Sequence, residues 1–273
     1  MSSFVPLCEI FLRMSILSEI IAKKRERVIA TQEALPFDQV RHQAQEVRRD
    51  AEPHALRTAL PRERINIIAE FKRRSPSKGT IREDADLTEI VQSYEAGGAV
   101  AISVLTEEDY FDGSLADLRT AKFAVNLPVL RKDFIFEEYQ VYESAAAGAD
   151  AILLIVAALE DESLRRLRQL AEDELGMDAL VEVHTSDEMK RATAAGATLI
   201  GVNNRNLRTF ETYIDISYSV AHDAPRDVTL ISESGLRNAR DLRFLWDIGF
   251  KGFLIGETLM RADDPAEMLR KLL

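Results

Sequence analysis

The nine residues AGADAILLI, at positions 147–155, contain the pattern that decides the fold. A small residue and a glycine, which are typical of a helix end, stand shortly before a continuous apolar run. An apolar run without polar alternation is typical of a parallel strand that is covered on both faces. The same pattern returns at 96–105, 195–202 and 248–255. The chain therefore repeats a unit in which a strand follows a helix.

Further apolar runs lie between these copies, at 67–71, 127–130, 180–183 and 228–231. Amphipathic segments separate the runs, and two of them start with the spacing of a capping box, Asp86-x-x-Glu89 and Thr185-x-x-Glu188. Eight strand–helix units in about 250 residues predict an α/β fold, a (β/α)₈ TIM barrel. An open, doubly wound sheet is the alternative, because alternation alone does not show that a sheet closes.

The segment before the first strand lies outside the repeat. Its apolar periodicity predicts a helix over 16–30 and a second helix over 40–49. The apolar side of the first helix carries Ile16, Leu17, Ile20, Ile21 and Val28. We expect an N-terminal helical extension (1–60) that lies across one end of the barrel (61–273), with the whole chain (1–273) forming one domain.

Composition excludes several classes of protein. A formal net charge of -11 gives the chain no electrostatic reason to bind nucleic acid or an anionic membrane. The one cysteine, Cys8, rules out a disulfide within the chain and fits a reducing compartment. No apolar run approaches the roughly 18 residues of a membrane span, and residues 4–12 lack the basic start and cleavage site of a signal peptide. We expect a cytoplasmic protein.

No cofactor is indicated by the sequence. The single cysteine and the four scattered histidines do not have the spacing of metal ligands. The first predicted strand is not followed by a glycine-rich dinucleotide motif, and no P-loop is present. We therefore expect neither a metal nor a dinucleotide.

Charged residues stand where the chemistry of such a barrel takes place, at the carboxyl ends of the strands. Glu70 and Lys72 share one face of the first strand, Lys132 stands two positions after the third apolar run, and Glu182 interrupts the fifth. A charged side chain that points into a barrel mouth is costly unless it pairs or reacts, so we interpret these residues as functional. The alternative for Lys132 is an ordinary surface lysine at a helix start.

Other charged residues near these strand ends are given a plainer interpretation. Arg73 and Arg74 are interpreted as members of a solvated loop. His184 shares the face of Glu182 but is expected to act behind the site at most, since a single histidine is more often structural.

Polar and small residues follow the last three strands. Asn203 places a neutral donor and acceptor at the barrel mouth. The seventh strand ends in Ser232-Glu233-Ser234-Gly235 and the eighth in Gly256-Glu257. Small residues after these two strands are typical of a phosphate site, where backbone N–H groups and a helix N-terminus hold the anion.

Taken in order, these motifs resemble those of the indole-3-glycerol-phosphate synthase family. The matching stretches are IAEFKRRSPS (68–77), SVLTEEDYFDGS (103–114), PVLRKDF (128–134), VEVH (181–184), GVNNR (201–205), ISESG (231–235) and LIGE (254–257). The resemblance runs from about Ser15 to the C-terminus, and its specificity comes from the combination. Residues 1–13 look additional, so Met14 is a candidate start, and Asn204 stands at a position that varies in the family.

The resemblance implies a cofactor-independent carboxy-lyase of tryptophan biosynthesis. Its substrate would be 1-(2-carboxyphenylamino)-1-deoxyribulose 5-phosphate, and its products indole-3-glycerol phosphate, carbon dioxide and water. By the resemblance, Lys132 is the general acid, Glu182 and Glu70 manage protons, and Lys72 pairs with them and with the substrate. Asn203 and Glu233 orient substrate hydroxyls. Which carboxylate is acid or base in each step stays open.

The resemblance also implies a phosphate site and an aromatic pocket. The phosphate would be held by Ser75, Ser234, Gly235, Gly256 and the backbone of Glu257, and the aromatic ring would be lined by Phe111, Phe134 and Leu153. We expect a small phosphorylated anthranilate-sugar as the partner, and a monomer or weak homo-oligomer. Two rival interpretations are another phosphosugar barrel, such as a phosphoribosyl isomerase, and a catalytically silent binding barrel.

Overall fold

Eight parallel strands close into a barrel. The computed structural model describes residues 16–61, 63–206 and 211–273, so Cys8, the additional residues 1–13 and the candidate start Met14 lie outside the described residues. The strands are β1 (Asn66–Phe71), β2 (Ala101–Leu105), β3 (Val129–Lys132), β4 (Ala151–Ile155), β5 (Asp178–Val183), β6 (Leu199–Asn203), β7 (Thr229–Glu233) and β8 (Gly252–Ile255). Each strand pairs with its two sequence neighbours, and β1 pairs with β8. The predicted (β/α)₈ barrel is confirmed, and the open sheet is excluded.

Helices surround the barrel and alternate with its strands. They are α1 (Ile16–Ala34), α2 (Phe37–Arg49), α3 (Ala55–Thr58), α4 (Leu87–Gly97), α5 (Leu115–Ala124), α6 (Glu138–Ala146), α7 (Asp161–Gln169), α8 (Ser186–Ala194), α9 (Asp215–Ala221), α10 (Ala239–Asp247), α11 (Glu257–Met260) and α12 (Pro265–Leu272). A π-helical turn, Leu170–Glu174, follows α7. Within the described residues, no helix is long and apolar enough to cross a membrane.

Local signals predicted in the sequence explain where several helices start and end. The Asp86 carboxylate accepts a hydrogen bond from the Glu89 amide at 3.0 Å, and the Thr185 hydroxyl accepts one from the Glu188 amide at 3.2 Å. After α6, Gly148 has a φ of 86°, a left-handed conformation that glycine adopts without the steric cost of a Cβ. The chain can therefore turn from α6 into β4.

Alternation along each strand separates two apolar layers. In β1, Ile67, Ala69 and Phe71 face the helices, whereas Ile68 belongs to the cluster inside the barrel. Because successive side chains point to opposite faces, Glu70 lies on the inner face with Ile68. The same alternation sends the last inner residue of other strands toward the carboxyl end of the barrel.

The N-terminal segment contacts the barrel at two opposite ends. Leu56 of α3 and Leu60 pack against the apolar cluster inside the barrel, at the amino ends of the strands. Helix α1 instead lies at the carboxyl ends, where it forms part of the cavity described below. The predicted helices over 16–30 and 40–49 are both present, and each is longer than predicted by three or four residues at one end.

Candidate active site

Four charged side chains form one layer inside the barrel. They come one each from the odd-numbered strands: Glu70 of β1, Lys132 of β3, Glu182 of β5 and Glu233 of β7. We call these four residues the charged layer. Two positions earlier on the same strands stand Ile68, Leu130, Leu180 and Ile231, all in the apolar cluster inside the barrel. A barrel of this type fills its interior with layers of four side chains from alternate strands. The charged layer is the last of these layers, at the carboxyl end.

Lys132 lies between two carboxylates of the charged layer. Its Nζ is 3.2 Å from Glu182 Oε2 and 3.1 Å from Glu233 Oε2. Burial by itself would lower the pKa of Lys132, but the carboxylates of Glu233, Glu182 and Glu70 outweigh burial and raise that pKa above its ordinary value. The ammonium group is therefore charged at neutral pH although it lies inside the barrel.

The two carboxyls that contact Lys132 have different proton affinities. Burial raises the pKa of Glu233 to about 7, because the attraction of Lys132 is opposed by the nearby charge of Glu182. Burial also acts on Glu182, but Lys132, His184 and a hydrogen bond from Asn203 outweigh it and lower the pKa of Glu182. Of these two carboxyls, Glu182 is therefore ionised at neutral pH, whereas Glu233 readily exchanges a proton.

Two glycines leave the space that the carboxylates occupy. A Cβ at Gly201 of β6 would overlap Glu233 Oε1, and a Cβ at Gly256 would overlap Glu70 Oε1. The neighbouring strands therefore carry no side chain where the glutamates must fit. From the sequence, Gly256 was expected in the phosphate site only, and Gly201 had no predicted role.

Lys72 and Asn203 extend the charged layer toward the barrel mouth. Lys72 Nζ is 2.5 Å from Glu70 Oε1, so the two residues pair as their shared strand face predicted. The Asn203 side-chain oxygen accepts a hydrogen bond from the Arg205 amide at 3.0 Å. This bond fixes the orientation of the Asn203 amide, whose other end donates to Glu182.

An apolar wall stands above the charged layer. Phe111 and Phe134 place their ring centroids 6.1 Å apart, and Leu153 lines the same cavity. The cavity measures about 870 Å³ and is lined by every residue of the charged layer. Phe111, Phe134 and Leu153, which were predicted to line the aromatic pocket, thus lie together in the fold. Helix α1 supplies further wall residues that were not predicted to belong to the site, namely Ile16, Leu17 and Ile20.

The loop that carries Phe111 is organised by a buried carboxylate. Glu107 accepts backbone hydrogen bonds from Asp109, Tyr110 and Phe111 at 3.1, 2.7 and 3.2 Å. Gly113 closes the loop against the Leu105 carbonyl, where a Cβ would overlap backbone. Because these contacts fix the loop backbone, the position of the Phe111 ring is determined by Glu107. This role was not predicted.

The residues assigned to phosphate binding line the other end of the same cavity. They are Ser75, Ser234, Gly235, Gly256 and Glu257. Ser234 and Gly235 both have a positive φ, 67° and 78°, a conformation in which successive N–H groups can form an anion-binding concavity. Helix α11 begins at Glu257, and the first N–H groups of a helix have no partner within it.

Further cationic side chains stand around this end of the cavity. They are Lys78, Arg205, Arg237 and Arg261. Arg205 Nη1 donates to the Ser77 hydroxyl at 2.9 Å, which joins the loop after β6 to the loop after β1. Glu257 carries a negative charge here, but its carboxylate is 3.2 Å from Arg261 Nε. The surroundings therefore favour an anion.

The plainer interpretation of the first loop is wrong for one arginine. Arg73 donates from both terminal nitrogens to Asp117 at 2.8 Å, and its guanidinium lies 4.9 Å from the centroid of the Phe71 ring. It is half-buried, because Asp117 at the start of α5 gives it a bidentate partner. Arg74 is exposed, as expected for a solvated loop.

Asn204, which the sequence analysis left without a role, is a buried structural residue. Its amide nitrogen donates to the Ser232 hydroxyl at 3.0 Å and to the Ser234 carbonyl at 3.1 Å. Its oxygen accepts from the backbone and hydroxyl of Ser217. Asn204 therefore ties β6 to β7 and α9, and it supports the backbone of the loop that begins at Ser234. Among the described residues, no group of three or more His, Cys, Asp or Glu side chains is arranged to hold a metal ion.

Known structures of similar shape share the barrel but little sequence. A thiamine phosphate pyrophosphorylase from Pyrococcus furiosus superposes with a TM-score of 0.57 at 16% identity, over 80% of this chain and 95% of that one. A 3-hexulose-6-phosphate synthase from Salmonella typhimurium gives 0.60 at 14% identity, over 76% and 96%. At these identities the likeness concerns the fold alone.

Sequence comparison is far more specific. A sequence model of the family described as indole-3-glycerol phosphate synthase matches residues 17–272. A protein of that name from Carboxydothermus hydrogenoformans is 46% identical over 262 residues, which covers 94% of this chain and 99% of its own. Another from Bacteroides thetaiotaomicron is 45% identical over 258 residues, covering 94% and 97%. The chain therefore belongs to the indole-3-glycerol phosphate synthase family.

Proposed function

We propose that the chain converts 1-(2-carboxyphenylamino)-1-deoxyribulose 5-phosphate to indole-3-glycerol phosphate, carbon dioxide and water, as a decarboxylating lyase of tryptophan biosynthesis. Family membership supports the reaction. The observation that carries the proposal is Lys132, buried and charged between Glu182 and Glu233. A cation and two carboxyls of unequal proton affinity are what a sequence of proton transfers at one substrate requires.

The two ends of the cavity suit the two ends of this substrate. The aromatic ring packs on the apolar wall with Phe111, Phe134 and Leu153. The phosphate binds to the loops that contain Ser234, Gly235, Gly256 and the Glu257 backbone, with Ser75 opposite. The carbonyl of the sugar chain then lies over the charged layer, within reach of Lys132. A substrate held at both ends is oriented for an intramolecular reaction.

Lys132 is the general acid of ring closure. A bond forms between the ring carbon that bears the carboxylate and the sugar carbonyl carbon, and the carbonyl oxygen takes a proton from the Lys132 ammonium. Charge develops on that oxygen in the transition state, so a cation placed in advance stabilises it. The bond to the carboxylate then breaks, carbon dioxide leaves, and the electron pair restores the aromaticity of the ring. No electron-sink cofactor is needed for that step.

Dehydration completes the indole ring. The new hydroxyl leaves as water when it receives a proton, and a base takes the proton released from the ring. Glu182, which is held ionised, suits the base, and Glu70, which pairs with Lys72 in the same layer, manages the remaining proton. Asn203 and Glu233 orient hydroxyls of the substrate, and Glu233 can act as donor or acceptor because its pKa is about 7.

Two other functions fit parts of the site less well. A phosphosugar isomerase would use the loops after β7 and β8, but it has no need for the Glu70–Lys72 pair and the segment up to Ser77. A catalytically silent binding barrel would have no need for Lys132 at the centre of three carboxylates, which is costly to maintain in the interior. Each of these two functions accounts for fewer of the residues that line the cavity than the synthase reaction does.

We further propose that the protein acts in the cytoplasm, as a monomer or weak homo-oligomer whose partner is the small phosphorylated substrate. The single cysteine of the chain and the biosynthetic role of the family support this compartment. The acidic net charge supports the absence of a nucleic-acid partner.

A fluorescence assay for indole-3-glycerol phosphate tests the proposed function. Purified protein is mixed with the carboxyphenylamino-deoxyribulose phosphate in the presence of a chelator, and released carbon dioxide is measured in parallel. We expect indole product and carbon dioxide in equal amounts. Absence of product from protein with a normal circular dichroism spectrum would reject the synthase and favour an isomerase or a binding barrel.

A further inference from the structure

A buried histidine lies directly behind the charged layer. His184 follows β5 two positions after Glu182, and its side chain is 11% exposed. The proposed reaction gives it no role, and the sequence analysis placed it behind the site at most. Its two ring nitrogens nevertheless face carboxylates on opposite sides.

The His184 ring bridges Glu182 and the first turn of α8. Nδ1 is 3.3 Å from Glu188 Oε2, and Nε2 is 3.5 Å from Glu182 Oε1. The same Glu188 oxygen accepts the backbone N–H of His184 at 2.6 Å. In a capping box Glu188 would accept the N–H of the cap residue Thr185, and here it reaches one residue further back. Glu188 therefore holds both the backbone and the ring of His184.

Each oxygen of Glu182 thus faces a different basic group. Lys132 is 3.2 Å from Oε2, on the side of the cavity, and His184 is 3.5 Å from Oε1, on the side of α8. Nε2 of His184 is buried and makes no hydrogen bond within the described residues. A protonated Nε2 would be satisfied by a small movement of the Glu182 carboxylate.

We propose that His184 is a positioning residue, which as an imidazolium held by Glu188 keeps Glu182 ionised and oriented toward Lys132. The proposal rests on the proposed function, in which Glu182 takes a proton during dehydration. It adds a second basic group to the charged layer and links the start of α8 to the proton chemistry.

The electrostatic surroundings favour the charged ring. Burial by itself would lower the pKa of His184, but the hydrogen bond to Glu188 and the carboxylates of Glu182, Glu188 and Glu233 outweigh burial and raise it above its ordinary value. These carboxylates come from α8, β5 and β7, and Lys132 of β3 faces the same Glu182 from the other side. In turn, the charge of His184 lowers the pKa of Glu182, by less than the charge of Lys132 does.

Loss of the imidazolium charge would change the proton distribution in the site. Without it, Glu182 keeps only Lys132 as a cation and its pKa rises toward that of Glu233. Two carboxyls then compete for protons at neutral pH, and the fraction of molecules with an ionised Glu182 falls. The same loss occurs in the unmodified protein when the pH rises through the pKa of His184.

A titration by nuclear magnetic resonance tests the charge of His184 without substrate. The chain has four histidines, so the His184 ring signal is the one that disappears in His184→Gln. We expect its midpoint to lie above 6.5, and to fall by about one unit in Glu188→Gln because an opposite charge is removed. In His184→Gln the carboxyl carbon of Glu182 should titrate at higher pH than in the unmodified protein. A His184 midpoint at or below 6.5 would overturn the proposal.

Steady-state kinetics test whether the charge serves the reaction. In His184→Gln we expect kcat at neutral pH to fall about tenfold, the factor that corresponds to one pKa unit, while KM changes less than about threefold. Above the His184 midpoint of the titration the difference in kcat between the two proteins should shrink, because there the ring of the unmodified protein is neutral too. His222→Gln, a change at an exposed position, is the control and should match the unmodified protein.

The two experiments separate failure of the proposal from failure of the proposed function. If the unmodified protein makes no indole product, the proposed function fails, and the titration alone decides whether His184 charges and controls Glu182. If the unmodified protein is active and His184→Gln has the same kcat across the pH range, the positioning role is overturned and the proposed function stands.

Discussion

At the scale of single residues, the site depends on how one buried cation and its carboxylates share protons. Lys132 remains charged because three carboxylates surround it. Among them, Glu233 is the one whose pKa is raised, by its burial and by the nearby charge of Glu182. A carboxyl whose pKa is raised by burial is destabilising once the pH is high enough to remove its proton. Stability and function therefore conflict at Glu233.

The change Glu233→Gln should make this conflict measurable. In the unfolded chain the carboxyl has a pKa near 4.5, whereas in the folded protein its pKa is about 7. The contribution of Glu233 to stability is therefore fully present below pH 4.5 and is lost as the pH rises through 7. Glutamine has no charge to lose, so the variant should gain stability relative to the unmodified protein as the pH rises from 5 to 8, by up to about 3 kcal/mol.

Urea unfolding at several pH values measures the free energy of unfolding of both proteins. The difference between them should grow with pH, and the variant should have lost most of its turnover at every pH. A difference that stays constant from pH 5 to pH 8 would contradict the raised pKa of Glu233.

Much of the charged layer could be predicted at this scale, because strand ends can be recognised in the sequence. Glu182 stands out as a charge within an apolar run, and Lys132 stands two positions after one. The role of Gly201 could not be predicted, since its clearance for Glu233 depends on which strands are neighbours and on their register. Arg73 was misinterpreted because its partner Asp117 lies 44 residues away.

At the scale of secondary-structure elements, α1 is held on the barrel mouth by a buried lysine. Lys24 Nζ is 2.8 Å from Asp133 Oδ2 and 2.8 Å from Glu108 Oε2, and its side chain is 3% exposed. Asp133 directly follows Lys132 and also pairs with Arg131 at 2.9 Å. Burial would raise the pKa of Asp133, but Lys24 and Arg131 outweigh it and lower the pKa to about 2.

We expect Lys24→Met to loosen α1 and weaken the site. Methionine replaces the buried methylene groups but leaves Asp133 with one cation fewer. Removing one partner of a buried ion pair typically costs about 3 kcal/mol. Turnover should also fall, because Ile16, Leu17 and Ile20 of the same helix line the cavity.

Lys23→Met is the matched control for this change. Lys23 is the preceding residue of α1, its side chain is 49% exposed, and it pairs with Glu26 in the same helix. A surface pair of this kind contributes less than about 1 kcal/mol. Urea unfolding curves that are the same for the two variants would show that the Lys24 contacts do not hold α1.

Helix α1 shows both what patterning predicts and what it does not. The apolar spacing predicted the helix and its inward side correctly. It did not predict that Lys24 faces inward, because a lysine within an amphipathic pattern is assigned to the solvent side. The contacts of Lys24 are separated from it by more than 80 residues of sequence. Only the closed barrel brings them together.

At the scale of the whole molecule, the two ends of the barrel have different tasks. The carboxyl ends of the strands hold the charged layer, whereas the amino ends hold a buried network around Asp178 of β5. Asp178 accepts the backbone N–H of Arg57 at 2.8 Å and lies 3.3 Å from both Arg57 Nε and His54 Nδ1. Arg57 in turn pairs with Glu172 at 2.7 Å. Barrels of this type use that end for stability.

The change Asp178→Asn should therefore reduce stability without changing the chemistry. The amide leaves the buried donors of Arg57 and His54 without their charged acceptor, which costs about 1–3 kcal/mol. The midpoint of thermal unfolding should fall, while kcat measured well below that midpoint should be unchanged. Asp187→Asn, at a side chain that is 89% exposed, is the control for both quantities.

A loss of turnover in Asp178→Asn at temperatures where it is fully folded would show that the two ends are coupled. Barrel closure itself was predictable from eight regularly spaced apolar runs. The location of the charged layer at one end of the barrel was predictable too, because the strand direction determines which residues lie at the carboxyl ends. The network around Asp178 was not predicted, because its members come from α3, the π-helical turn and β5, which only the closed fold brings together.

The central claim is that Lys132 delivers the proton that drives ring closure. The most direct test is the kcat of Lys132→Ala, with Lys132→Met as a second variant that keeps the apolar volume and Lys190→Ala as the control. Lys190 is 72% exposed and pairs with Asp187 on the surface of α8. Circular dichroism establishes that each variant is folded.

We expect kcat to fall at least about 10²-fold, the contribution typical of a general acid, in both Lys132 variants and to stay within twofold in Lys190→Ala. Phosphate binding, measured with inorganic phosphate by calorimetry, should be retained in all of them because its site lies at the other end of the cavity. Turnover of folded Lys132→Ala at the rate of the unmodified protein would contradict the claim.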